Sequence, residues 1–363
     1  MLRRLSPIRC RPFVMGALIL VGLQGSFLAH AAQMVRQTPV RSEILQENRW
    51  HSAVSPTTAR ANALAYRAEA YMVLAPSDEL IELHLQRLQG SPRLQAARRD
   101  DARELRRRLL GMAERASLIA LQIVPDHALA TFVLARTRDL CGAEPSETIP
   151  MFERLLTLLD AQDTERRATV LFSLGVAYTK QLRFEAARDS YLELVRDPFA
   201  PGREVTLCNL AETYMYLHDV DASLERYNEC ATALPQRATG WWGLAIAHDR
   251  AGHESDGRRA ADRALPVDPD LRDIRGDGVF YVPEYERWYY EGMAFEAIAR
   301  SALSMVDRRA ALNSAAGCWN RYITAAPSTD SWLHRVRAHS ASVLQQLIEL
   351  QQPIRAPRPV GRQ

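Results

Sequence analysis

Cysteines, a run of aspartates, a pair of glutamates and scattered histidines are the residues of this chain whose chemistry could make a site. Cys141, Cys208, Cys230 and Cys318 form no CxxC pair and no ligand spacing, so they predict no zinc centre. Cys208 and Cys230 fall near the meeting ends of two adjacent predicted helices. An oxidising compartment would permit a disulfide between them, but two small buried thiols is the reading preferred here. Asp268, Asp270, Asp273 and Asp277 look in part like a calcium loop. Arg272 stands where an oxygen ligand belongs, however, and no glutamate closes the twelfth position. Glu284 and Glu286 precede an aromatic cluster, yet no second domain is available to form a sugar cleft around them. His248 reads as a packed stand-in for an aromatic residue rather than a general base, and GxSxG, HExxH and phosphate-loop patterns are missing. The expectation is therefore no catalytic residue, no metal and no cofactor, which moves the search from reaction chemistry to surfaces.

Surfaces need elements to carry them, and the elements repeat. In 204–237, Leu207, Leu210, Ala211 and Tyr214 share one helical face, Ser223, Tyr227 and Cys230 share a second, and Pro235 closes the unit. In 238–271 the same roles fall on Trp241, Leu244, Ala245 and His248, then Gly257, Ala261 and Ala264, then Pro269. In 168–201 they fall on Leu171, Leu174, Gly175 and Tyr178, then Ala187, Tyr191 and Leu194, before Asp197-Pro198. Gly175, Ala211 and Ala245 let two antiparallel helices approach, Tyr191 and Tyr227 fill the wider space, and proline ends the second helix.

These offsets resemble the tetratricopeptide repeat, a helical hairpin of small, large and proline positions. The third unit departs most, with His248, Gly257 and Ala261 replacing the usual aromatic, alanine and large residue. The resemblance implies an all-α fold, a right-handed superhelical solenoid of hairpins with a C-terminal capping helix, because single hairpins must stack to bury their apolar faces. It also implies a concave groove lined by the first helix of each hairpin. The matching positions are Phe172, Val176, Thr179 and Lys180; Cys208, Glu212, Met215 and Tyr216; and Trp242, Ile246, Asp249 and Arg250. Aromatic and methionine groups flanked by charge suit a protein or peptide partner. The lysine and asparagine set by which chaperone-binding members hold a terminal carboxylate is not matched, which argues against a C-terminal EEVD-type ligand. A second patch is Phe280, Tyr281, Tyr285, Trp288, Tyr289 and Tyr290, which either presents a surface or plugs the junction with the C-terminal hairpin. Helical solenoids also occur in lytic transglycosylases of the cell wall, so an envelope enzyme acting on peptidoglycan is the alternative, and a homo-oligomeric structural element a third reading.

Around the three units, 57–125 predicts an N-terminal helical region, with Thr57-Thr58 capping a helix whose inner residues are Leu64, Tyr71 and Leu74. A long charged helix follows from Leu94 to Val124, whose arginine run 98–108 reads as a solvated face. A degenerate hairpin is placed at 126–165, an aromatic insertion at 272–283, and a further hairpin with a capping helix at 284–351. In that last helix Ser331 is the expected cap and Leu333, Val336, Val343, Leu344 and Leu347 the inner residues. Residues 32–56 read as a flexible lead-in and 352–363, rich in proline and arginine, as a disordered tail.

The chain begins with Arg3, Arg4, Arg9 and Arg11, an apolar run from Phe13 to Leu23, and Ala29-His30-Ala31, the layout of a secretory signal peptide cleaved after Ala31. The apolar run is short for a membrane anchor. Loss of the four arginines turns the formal charge of +3 to −1, so charge gives no case for nucleic acid. Lys180 is the single lysine among 46 basic residues, a bias that reads as GC-rich, bacterial codon usage. An exported, periplasmic or cell-surface scaffold for protein partners is the functional expectation.

Overall fold

A computed structural model describes residues 55–87, 91–276 and 281–351. The expected signal peptide, most of the lead-in, Asp277, Phe280 and the tail lie outside the described residues. Helix is the only regular structure among the described residues, and the chain divides into two compact units, Met1–Pro125 and Asp126–Gln363.

In the first unit α1 (Pro56–Leu74) packs on α3 (Pro92–Ile123), with α2 (Asp78–Arg87) between them in sequence. The contact face is narrow. Ala61, Ala65 and Ala68 of α1 are buried, as are Leu109, Ala113, Ala116 and Ala120 of α3. Small side chains at i, i+4 and i+7 bring the two helices close, which leaves Leu64, Tyr71 and Leu74 only half-buried. Ser55 caps α1, its hydroxyl accepting from the Thr58 N–H at 3.1 Å with Pro56 in the first turn, so the start lies just before the expected threonines. The arginine run of α3 is divided. Arg107 and Arg108 pair with Glu104 on the solvent side, while Arg99 forks onto Glu82 at 2.6 and 2.8 Å and Arg106 reaches Asp78, tying α2 to α3.

The second unit is a row of antiparallel hairpins: α4/α5 (Ala128–Leu140, Pro145–Leu158), α6/α7 (Thr164–Lys180, Phe184–Val195), α8/α9 (Arg203–Tyr216, Val220–Ala233) and α10/α11 (Ala238–Arg250, Glu254–Val267). Each packs on the next through α5–α6, α7–α8 and α9–α10 contacts. A short α12 (Arg272–Arg275) interrupts the predicted aromatic insertion. A 3-10 turn (Glu284–Glu286) then leads into a fifth hairpin, α13/α14 (Arg287–Ser301, Met305–Ala325), closed by α15 (Leu333–Glu349).

One backbone device recurs in the first four hairpins. The chain reverses at Gly142, Leu182, His218 and Gly252, all in the left-handed region with φ between 60° and 81°. The following N–H reaches back to the helix: Ala143 to Arg138, Arg183 to Tyr178, Asp219 to Tyr214 and His253 to His248. This six-residue closure satisfies a carbonyl left open by the helix end and fixes the exit angle of each hairpin. The close approaches are also specific. A Cβ on Gly175 would run into the Tyr191 ring, one on Gly243 into the Tyr227 ring, and one on Gly292 would meet the Trp319 ring at 2.7 Å. Gly175 was expected as a contact point; Gly243, where an aromatic of one hairpin enters the next, was not.

Two expectations are corrected here. Cys208 and Cys230 are joined as a disulfide across α8 and α9, with Cα atoms 5.4 Å apart, rather than lying as separate thiols. Ser331 does not cap α15; Asp330 accepts from the Trp332 N–H at 2.9 Å, and Leu344, placed on the inner side from sequence, is half-exposed because α15 turns only Leu333, Val336 and Val343 fully inward.

Candidate functional site

The twelve positions matched to a concave groove divide at the boundary between the first and second clear repeats. On α6, Phe172 and Val176 are half-buried and Lys180 is exposed, one above another at i, i+4 and i+8. Phe172 leans on Tyr191 with ring centroids 6.3 Å apart. Thr179 turns away from this stripe and is buried, its hydroxyl donating to the Gly175 carbonyl at 2.8 Å. Cys208 is taken up by its disulfide.

From α8 onward the chain covers its own groove. Met215, Trp242 and Ile246 are fully buried in the core shared by the third clear repeat and the C-terminal hairpin. Glu212 accepts hydrogen bonds from Tyr290, at 2.6 Å, and from Tyr227. Tyr216 stacks on Phe184 at 4.7 Å, and its hydroxyl accepts from the Val282 N–H at 3.4 Å. Asp249 accepts from Tyr289, from Arg335 at 2.7 Å and from His339 at 3.1 Å. Arg250 pairs with Glu286 and lies over the rings of Tyr289 and Trp332 at 4.6 and 4.8 Å. Trp242, Ile246, Asp249 and Arg250 are therefore not surface contacts. Charged and aromatic groups that looked like peptide-binding positions are satisfied by α13, α15 and the turn before α13.

The aromatic patch supplies the other half of this lock. Tyr289 and Tyr290 are buried, and Tyr281 donates to the Ile274 carbonyl at 2.8 Å. Tyr285 donates to Asp330 at 3.0 Å and stands edge-on to Tyr322. Trp288 is half-buried, held between Arg287 and Arg321 at 4.7 and 4.6 Å. Of the two glutamates weighed as catalytic acids, Glu284 is exposed and Glu286 is buried in the ion pair with Arg250, where it also accepts from Tyr322 at 3.2 Å. Of the aspartates weighed for calcium, Asp268 accepts from the N–H groups of Arg272 and Asp273, Asp273 accepts from that of Ala238 at 2.8 Å, and Asp270 pairs with Arg272 at 3.0 Å.

Burial dominates the electrostatics. It raises the Glu286 carboxyl above its ordinary range, against the pull of Arg250. It also pushes the hydroxyls of Tyr227, Tyr289 and Tyr290 well up, with Glu212 or Asp249 adding to the effect. Asp249 goes the other way. Burial opposes its charge, but His339, Tyr289 and Arg335 together hold it well below the usual carboxylate range. His339 donates toward both Asp249 and Glu296, and its pKa rises to about 10 in spite of burial. The pattern of the last helix sets His339 on its outward side, yet the ring is largely buried between Asp249 and Glu296; that contact, like the one between Arg335 and Asp249, joins residues 40 or more positions apart, beyond the reach of helical spacing.

No family model matches the chain, and neither does any curated protein. Solved structures that are similar include two of MamA protein, at 17% and 18% identity, each over 47% of this chain and 88% and 94% of theirs, with TM-scores of 0.39 and 0.41. A third is YrrB, described as a TPR protein with an unusual peptide-binding site, at 13% identity over 62% of this chain and 99% of that one, with a TM-score of 0.41.

Proposed function

We propose that the protein is a non-catalytic interaction scaffold that binds a protein or peptide partner along the open part of its groove, on α6. The observation that carries this reading is the contrast along the row of hairpins. Phe172 and Val176 keep a partly exposed apolar stripe that ends at the exposed Lys180, while Glu212 and Met215 of α8 and Trp242, Ile246, Asp249 and Arg250 of α10 are packed against or bonded to the chain's own C-terminal part. A stripe of this kind suits an apolar anchor followed by an acidic group on the partner. Trp288, half-buried between two arginines, is a secondary contact.

The scaffold acts in the bacterial envelope after export. The N-terminal leader motif supports this, as does a disulfide between Cys208 and Cys230, which needs an oxidising compartment to persist. Among the described residues no helix is long and apolar enough to cross a membrane. The test is capture of partners from envelope fractions by the wild-type protein and by a Val176→Asp, Lys180→Glu variant, with circular dichroism to verify folding. A partner lost by the folded variant supports the reading. Equal capture by both removes α6 as the working face. N-terminal sequencing of the exported protein is expected to begin at Ala32.

A further inference from the structure

At the bend between α10 and α11, two imidazoles and a carboxylate converge. His248 lies in the last turn of α10, His253 precedes α11, and Asp256 lies in the first turn of α11. One nitrogen of each histidine and one oxygen of Asp256 all fall within 4.8 Å of one another, and the two rings have centroids 5.8 Å apart. We propose that His248, His253 and Asp256 form a binding site for a first-row divalent transition metal such as Zn²⁺, Ni²⁺ or Co²⁺.

The donor set suits such ions, since imidazole prefers zinc, nickel, cobalt and copper, whereas calcium and magnesium take oxygen shells. Ligands about 2.0–2.2 Å from a tetrahedral metal sit closer together than 4.8 Å, so binding draws the three groups inward by small side-chain rotations. The surroundings permit this. The Nδ1 atom of His248 is buried and makes no hydrogen bond, so turning the ring breaks none at that atom. His253 is exposed and free to swing. Against the site stands Arg259, whose guanidinium pairs with Asp256; its side chain is 71% exposed and can leave into solvent. Three protein ligands leave coordination positions for water. A bound ion would tie the last turn of α10 to the first turn of α11, across the left-handed Gly252.

Cobalt is the probe, added to the full-length protein without a histidine tag, with visible d–d absorption as the readout. The expected result is one Co²⁺ per chain, displaced by Zn²⁺. His253→Ala and Asp256→Asn, both at sites accessible enough to keep the fold, should each weaken binding by about tenfold or more. Arg259→Gln should bind at least as tightly as wild type. Cobalt binding unchanged in His253→Ala, or no spectral change in the wild type, overturns the site. A melting temperature raised by Zn²⁺ in the wild type but not in His253→Ala is the second readout.

Discussion

Arg250 and Glu286 form an ion pair across 36 residues of sequence, with side chains 1% and 5% exposed. It joins the last turn of α10 to the turn that opens the C-terminal hairpin, with Tyr289 and Trp332 stacked on the guanidinium and Tyr322 donating to the carboxylate. The pair is the centre of a polar lock that seats the closing hairpin on the third clear repeat.

Breaking one side of that lock leaves an unpaired buried charge. Arg250→Met should destabilise the protein by about 3–5 kcal/mol, whereas Arg250→Met combined with Glu286→Leu should recover much of the loss, because two apolar groups need no partner. Urea denaturation of the single and double variants checks this.

The neighbouring cluster sets a pH dependence. His339 titrates near 10 in the folded protein and near 6.5 when unfolded, so its contribution is complete below about pH 6.5 and disappears as pH rises through about 10. The gain is roughly 2–5 kcal/mol for a mostly buried imidazolium. Asp249 has the opposite sign: its lowered pKa stabilises above the ordinary carboxylate range and is lost on acidification. Denaturation midpoints of wild type and His339→Gln from pH 6 to 10 should converge toward the alkaline end. Parallel curves would show that His339 carries no charge in the fold.

Two of the four left-handed reversals are not glycine. Leu182 and His218 both hold φ near 60°, which glycine adopts without steric cost. Leu182→Gly, at an exposed position, should stabilise by about 0.5–1 kcal/mol despite the added freedom of the unfolded chain, measurable as a raised melting temperature. Gly175→Ala should do the reverse by about 1–3 kcal/mol, since its methyl meets the Tyr191 ring.

The Cys208–Cys230 bridge closes a segment with a sequence separation of 22, for which chain entropy gives about 3 kcal/mol. Thiol labelling under denaturing, non-reducing conditions should modify Cys141 and Cys318 and spare this pair, and Cys208→Ser with Cys230→Ser should lower the melting temperature. Labelling of all four cysteines would contradict the disulfide.

The hairpins were legible because their determinants are local. Leu171, Leu174 and Tyr178, or Tyr227 and Cys230, lie within one or two helical turns of each other, and the prolines that end the units are adjacent in sequence. The reversals at Leu182 and His218 were hidden, since neither residue type announces a left-handed backbone. The groove was misread from α8 onward for a different reason. A charged residue at a groove position looks the same in sequence whether it meets solvent or a partner far along the chain, and Asp249 finds its partners 40, 86 and 90 residues away, at Tyr289, Arg335 and His339. The H-x4-H-x2-D spacing from His248 to Asp256 matches no established ligand motif, and His248 also fits a packing position of the repeat, so the spacing alone does not announce a site.

In the proposed scaffold the part of the groove on α6 engages partners, while the part on α10 is closed by the chain itself. Site-specific photo-crosslinkers placed one at a time at Val176 and at Ile246, in protein expressed in its envelope, test this directly. An intermolecular adduct is expected from Val176 and, from Ile246, only intramolecular products. An intermolecular adduct from Ile246, with none from Val176, would contradict it.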